Sequence, residues 1–183
     1  MDGISWTASA MQAARARLEI AARNLANASS DGFRKTVAHV TLTARGLVTR
    51  GAVSHEQGAL RQTGRPLDLA IAGEGAFRVG GTETRNGAFV RDTQGYLCDD
   101  RGRRVQGTHG FVRVATDGTL LDKIPLPYRS HLISGALESP NVNAVGEMVA
   151  VLDAQRSFES AQKALVSIDE ARTKAANEVA RLR

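Results

Sequence analysis

Residues 151–182 read VLDAQRSFESAQKALVSIDEARTKAANEVARL, and their spacing decides the fold. Val151, Ala154, Phe158, Ala161, Leu165 and Ile168 alternate steps of three and four, and the rhythm continues through Arg172, Ala175, Val179 and Leu182. Such steps keep one narrow apolar stripe on a helix, and a stripe of that width must be covered by a partner helix. The first thirty residues repeat the pattern. Ile4, Met11, Leu18 and Leu25 are seven apart, with Thr7, Ala14, Ala21 and Ala28 three residues after each. The two termini are therefore candidates to pair with each other, with neighbouring copies, or with both. A chain that keeps its adhesive surfaces at its ends looks like a building block before it looks like a catalyst.

Between the ends the period shortens. The alanine-rich first helix is expected from about Ser5 to Ala28, stopped by Ser29-Ser30-Asp31-Gly32, where Gly32 suits a left-handed turn. Thr36 to Thr43 alternates and can be extended, and Gly46 to Gly64 reads as a polar connector. Leu67-Asp68-Leu69-Ala70-Ile71 alternates as a half-buried strand does, and Ala76-Phe77-Arg78-Val79 resumes after Gly73-Glu74-Gly75. Asn86-Gly87 marks a tight turn before Ala88 to Arg91, and Phe111 to Val114 and Leu120-Leu121 complete a small antiparallel sheet or barrel. Pro125, Pro127 and Pro140 stiffen the return, and Asn143 then offers an N-cap with Glu147 in the first turn. The expected class is α+β, with long terminal helices forming a coiled-coil-like terminal domain around a small central antiparallel β domain. Its segments are an N-terminal helix (1–33), an extended connector (34–64), the β domain (65–134) and a C-terminal helix (135–183).

Composition sets few further bounds. The chain has 183 residues, net charge +5 and a pI near 10.0. That balance admits a basic DNA-binding or regulatory coiled-coil protein as a rival reading. Nucleic-acid binders cluster their cations on one face, usually with stacking aromatics, and among Arg15, Arg17, Arg23, Arg34 and Lys35 only Phe33 is aromatic. The single cysteine, Cys98, excludes an intrachain disulfide and sits in the apolar trio Tyr96-Leu97-Cys98, as a strand residue does. No apolar run approaches the ~20 residues of a membrane span, and the N-terminus has neither the basic nor the apolar region of a cleaved secretory signal.

Chemistry-bearing patterns are sparse. Gly73-Glu74-Gly75 lacks the third glycine and following helix of a phosphate loop. His39, His55, His109 and His131 have no metal-ligand spacing. Asp99-Asp100 is flanked by Arg101, Arg103 and Arg104 as a solvated turn would be. Asp68, an acid inside an apolar strand, either faces solvent or pairs with Arg65. No catalytic residue, cofactor site, metal site or small-molecule substrate is expected.

Asn24-Leu25-Ala26-Asn27 followed by Ser29-Ser30-Asp31-Gly32-Phe33-Arg34-Lys35 closely resembles the signature of flagellar basal-body rod and hook proteins. Gly135-Ala136-Leu137-Glu138-Ser139-Pro140-Asn141-Val142-Asn143, with Glu147-Met148 and Gln155-Arg156-Ser157-Phe158-Glu159, resembles that family's C-terminal block. The run from Thr63 to Phe77 and the run from Thr84 to Phe89 resemble its central segments. Ser167-Ile168-Asp169-Glu170 and Ala175-Ala176-Asn177 look more like the proximal-rod F-type than the distal-rod G-type. The chain departs from the family at Arg23, where another Asn is usual, at Ser30, where Thr is commoner, and in a short middle. The resemblance implies an axial structural subunit, exported by the flagellar type III apparatus without a cleaved signal. It further implies helical stacking with copies of itself and other rod and hook proteins into the periplasmic rod. The subunit-contact residues it implies, together with the seams, are Ile4, Met11, Leu18, Asn24, Leu25, Asn27, Phe33, Val151, Phe158, Leu165, Ile168, Val179 and Leu182.

Overall fold

The computed structural model describes residues 3–44 and 46–181, with side chains as far as Glu178. Two α-helices bracket twelve short β-strands: α1 (Gly3–Ala26), β1 (Thr36–Thr43), β2 (Gly46–Val53), β3 (Leu60–Gln62), β4 (Leu69–Ala72), β5 (Phe77–Val79), β6 (Thr82–Thr84), β7 (Val90–Arg91), β8 (Leu97–Cys98), β9 (Gln106–Gly107), β10 (Gly110–Phe111), β11 (His131–Ser134), β12 (Ala136–Glu138) and α2 (Ala144–Arg181). The class is α+β, as expected. The chain divides into two units. One comprises 1–26, 36–54 and 143–183, and the other 27–35 and 55–142. The polypeptide passes between them four times, near residues 26, 35, 54 and 142.

In the helical unit, α1 packs along α2. Gly3 lies against Ile168, with a Cβ built there only 3.2 Å from Ile168 Cδ1. Trp6, Thr7 and Ala10 share a groove with Ala164, Ala161 and Ser157. Ascending numbers on one helix meet descending numbers on the other, so the helices run antiparallel. Asn143 caps α2, its Oδ1 accepting the Gly146 amide at 3.2 Å, and Glu147 stands in the first turn. A cap of this kind contributes about 1 kcal/mol.

The first correction to the sequence reading lies in this unit. Residues 36–53, expected as part of an extended connector, form an antiparallel hairpin pairing Thr36 with Val53 through Thr43 with Gly46. A two-stranded hairpin is marginal alone, and α1 supplies its support. Ser9 is buried and accepts the Leu47 amide at 3.3 Å, and the Thr49 hydroxyl donates to the Ala13 carbonyl at 3.2 Å. Asn24, 1% exposed, clamps the start of β1. Its Nδ2 donates to the Thr36 carbonyl at 2.8 Å, and its Oδ1 accepts the Thr36 amide at 2.9 Å.

The β unit is built on Leu69, Ile71, Phe77, Val79, Phe89, Leu97, Val105, Val112, Val114 and Ile124. Phe77 and Phe89 meet edge to face at 5.1 Å. The alternation read at Leu69 to Ile71 becomes β4, which pairs with β11, and the Phe77 segment becomes β5, paired with β6. Gly80 and Gly81, with φ of 55° and 83°, make the two-residue turn between β5 and β6, a geometry open to glycine and costly for most other residues. Isolated bridges such as Val79–Val105 and Tyr96–Arg113 join the short strand pairs. Asp68 is buried and pairs with Arg65, Nε to Oδ1 at 3.6 Å, so of the two readings the paired one holds. Cys98 is a buried β8 residue whose thiol donates to the Val90 carbonyl.

The second correction concerns boundaries. Residues 27–33 and 135–142, assigned from sequence to the terminal helices, and residues 34–35, assigned to the connector, belong to the β unit. β12 pairs with β3, and Glu138 of β12 is held there by its surroundings. Its carbonyl accepts the Gly32 amide at 2.6 Å, its Oε1 accepts the Gly58 amide at 3.1 Å, and its Oε2 lies 3.1 Å from Arg85 Nε. Both side chains of this ion pair are at most 3% exposed. Arg85 also donates to the carbonyls of Ile71 and Gly73, at 3.3 and 2.5 Å.

Candidate assembly surface

The seam of α2 is legible in exposure. Ala154 is fully buried, and Val151, Phe158, Ala161, Leu165 and Ile168 are half-buried, while the residues between them face solvent. On α1, Ile4, Met11, Leu18 and Leu25 are half-buried, and Ala14 and Ala21 are buried. These large seam residues keep part of their surface accessible. Full burial of a Leu or Ile side chain stabilises by about 1.5–3 kcal/mol, so each retains a share of that for a further partner. At 1.5 Å per residue α2 is about 57 Å long against about 36 Å for α1. All side chains from Asp169 to Glu178 are exposed. The Val179 side chain and Leu182 lie outside the described residues.

The other sequence-derived contact residues sit near the unit boundary. Asn24 is fully occupied by the Thr36 backbone. Asn27 accepts the Ser30 amide on its carbonyl at 3.0 Å and the Ser30 hydroxyl on its Oδ1 at 3.3 Å. Phe33 is half-buried, and its carbonyl accepts the Asn141 amide at 3.4 Å.

Sequence spacing missed a second apolar face. Val145, Met148, Val149 and Leu152 are 52–69% exposed. At 100° per residue they fall within about 100° of one another, on the side of α2 away from the seam. Their spacing of three and four is visible in the sequence. It was masked because the stronger seam runs through the same helix. Val166, 52% exposed, continues that side.

Several cations are committed to ion pairs. Arg15 pairs with Glu19, Lys35 with Glu56, Arg61 with Asp31, Arg78 with Glu83, Arg103 with Asp99 and Arg104 with Asp92. Arg104 also stacks 4.1 Å over the Tyr96 ring. Among the described residues no helix is long and apolar enough to cross a membrane, and no group of three or more His, Cys, Asp or Glu side chains could hold a metal ion.

The family model for flagella basal body rod proteins matches residues 6–34, and that for the C-terminal part of flagellar basal body rod FlgEFG proteins matches residues 133–178. Both ends of the chain are thus similar to flagellar basal-body rod proteins. It is 26% identical to the flagellar basal-body rod protein FlgF of Mesorhizobium japonicum, over 87% of this chain and 90% of the relative. It is 28% identical to FlgF of Escherichia coli, over 82% and 87% of the two chains. It is 26% identical to the rod protein FlgG of Bacillus subtilis, over 88% and 93%. The matched termini are α1 with the turn that follows it, and β11, β12 and most of α2. These likenesses support a structural place in the flagellar basal body. The alignment to the Mesorhizobium protein runs over 216 positions, more than this chain has, so the relative carries segments that this chain lacks.

Proposed function

We propose that this chain is an FlgF-like rod subunit that stacks helically with copies of itself and other axial proteins, and so carries torque from motor to hook. It reaches the periplasmic rod through the flagellar export apparatus without a cleaved signal, and it catalyses nothing. The observation that carries the reading is the pair of incompletely covered apolar faces on α2: the half-buried seam and the exposed Val145–Leu152 side. Both ends of the chain contribute to one helical unit, and a heterologous contact between such units that does not close generates a helical filament. The half-buried seam residues Ile4, Met11, Leu18, Leu25, Val151, Phe158, Leu165 and Ile168 border this contact. Asn24, Asn27 and Phe33 act at one remove by fixing the hairpin and the turn after α1.

The test is V149D/L152D in the full chain. Both sites are solvent-facing, so the isolated subunit keeps its melting temperature within a few degrees while rods in a complemented motile cell fail to form. Intact rods and normal swimming in that strain overturn the proposal.

A further inference from the structure

The β1–β2 hairpin has no third strand, and its two outer edges are only partly occupied. The Thr36 amide and carbonyl turn to Asn24, and the Leu47 amide turns to Ser9, so none of these groups bonds across the hairpin. Backbone groups of an antiparallel pair alternate between inward and outward along each strand. Thr36 and Leu47 therefore fix the phase: even-numbered residues of β1 and odd-numbered residues of β2 aim their amides and carbonyls outward. The outward positions left free are Ala38, Val40 and Leu42 on β1, and Thr49, Gly51 and Val53 on β2. Among the described residues no strand, loop backbone or side chain bonds the outward groups of these six. Their side chains share the face that packs on α1, where the Thr49 hydroxyl reaches Ala13 and a Cβ built on Gly51 lies 3.4 Å from Ile20. On that face Val40, Leu42 and Val53 remain 45%, 65% and 55% exposed. Proteins guard an open edge with charge, proline or a bulge. β1 reads TVAHVTLT, without Asp, Glu, Lys, Arg or Pro, and its register against β2 runs without a bulge.

We propose that β1 of one copy adds to the outer edge of β2 of the next copy, so that the hairpins of neighbouring subunits form one continuous antiparallel sheet. The occupied positions choose the register. Setting Leu42 against Thr49, Val40 against Gly51 and Ala38 against Val53 of the next copy pairs all the free residues, each pair exchanging two backbone bonds. Sliding by two residues one way sets Leu42 against Leu47, whose amide Ser9 already holds. Sliding the other way carries Ala38 past Val53, the last residue of β2. In the chosen register no like charges meet, since Arg50 faces Thr41 and His39 faces Ala52. Leu42 comes to lie beside Thr49 of the next copy, whose hydroxyl is bonded to α1, so that helix covers the most exposed apolar side chain of the hairpin. Pairing β1 with β1 of a second copy would leave the β2 edge bare and close as a dimer. Because β1 and β2 offer different edges, the proposed contact is heterologous and does not close. It rests on the assembly reading above, and adds to the α2 faces a second line of contact made of backbone bonds.

The test is disulfide cross-linking between copies. Residues opposite one another at a non-hydrogen-bonded position lie about 4.5 Å apart, Cα to Cα, within the ~4.4–6.8 Å that a disulfide spans. Thr41 and Arg50 of the next copy form such a pair in the proposed register, and both are exposed. Full-length C98S/T41C and C98S/R50C chains, with one cysteine each, are coexpressed in a motile cell lacking the wild-type chain. Basal bodies are purified, oxidised and run on a non-reducing gel. A dimer should form in the mixed strain and in neither single strain. Pairing of β1 with β1 would instead set Thr41 against His39, which lie two strands, about 10 Å, apart in the proposed sheet. A strain coexpressing C98S/T41C and C98S/H39C should therefore give no dimer. V40P deletes an outward amide that the hairpin itself does not use. Added to the C98S/T41C chain it should abolish the dimer, while hydrogen exchange in the isolated subunit still protects the inward amides of His39 and Thr41. Rods that form without the T41C–R50C dimer overturn this proposal and leave the assembly reading standing, whereas failure of the wild-type chain to build rods overturns both. A T41C–H39C dimer, or a V40P chain that cross-links undiminished, also overturns it.

Discussion

Replacing Glu138 by Gln removes the negative partner of Arg85 while keeping the side chain's shape. Both members of the pair are almost wholly buried, and breaking a buried pair from one side costs about 3–5 kcal/mol because the remaining charge is left uncompensated. The glutamine oxygen can still accept the Gly58 amide, and Arg85 keeps its two carbonyl acceptors. The cost should therefore fall at the lower end, about 3 kcal/mol. R85M should cost a similar amount by stranding Glu138, although the Ile71 carbonyl retains the Gln57 donor. The double variant R85M/E138L leaves no orphan charge. Its cost should be well below the sum of the two, a coupling of about 2 kcal/mol. The assay is native-state hydrogen exchange at the amides of Leu97, Val105 and Val112, which are bonded to one another's strands in the core and report the opening of the β unit alone. Loss of less than about 1 kcal/mol in E138Q, or strict additivity in the double variant, would refute the claim that this pair holds β12 to the β unit.

Four further outcomes are expected. N24A strands the Thr36 amide and carbonyl, costs about 2–4 kcal/mol, and strips exchange protection from residues 36–53; unchanged protection there would contradict the clamp. G87A forces a Cβ into the Leu69 carbonyl, so the melting temperature should fall by several degrees. Asp92 has its pKa lowered by the Tyr96 amide and Asp99 by the amides of Arg103 and Arg101 against a burial effect that raises it. A depressed folded value stabilises above the unfolded value and is lost as pH falls through the folded one, so the two turns should hold at pH 5 and loosen below about 4, with carboxyl titrations by NMR as the check. The Cys98 thiol is pushed up first by burial and then by Asp92 and Asp99, so a thiol reagent at pH 8 should label it only after denaturant is added.

The seam was readable because helical period and side-chain size coincide in it: the residues at steps of three and four from Val151 to Ile168 are those that lose exposure. Spacing cannot say which helix covers a seam, because the answer lies in the antiparallel approach of Gly3 to Ile168, far apart in the chain. The hairpin escaped notice because its second strand, Gly46–Val53, has little alternation of its own and takes its support from Ser9 and Ala13 on α1. The Arg85–Glu138 pair was invisible for a similar reason. Neither residue has a local pattern, and the partners meet only when β12 returns across the β unit.

The four passages of the chain between its units act as parallel cables. A twisting load applied to one unit divides among four covalent lines, so a protease that severs one leaves three to carry the strain. The same arrangement leaves the β unit free to grow or shrink over evolutionary time. Insertions within residues 55–142 alter what hangs from the cables without touching any of the four anchor points.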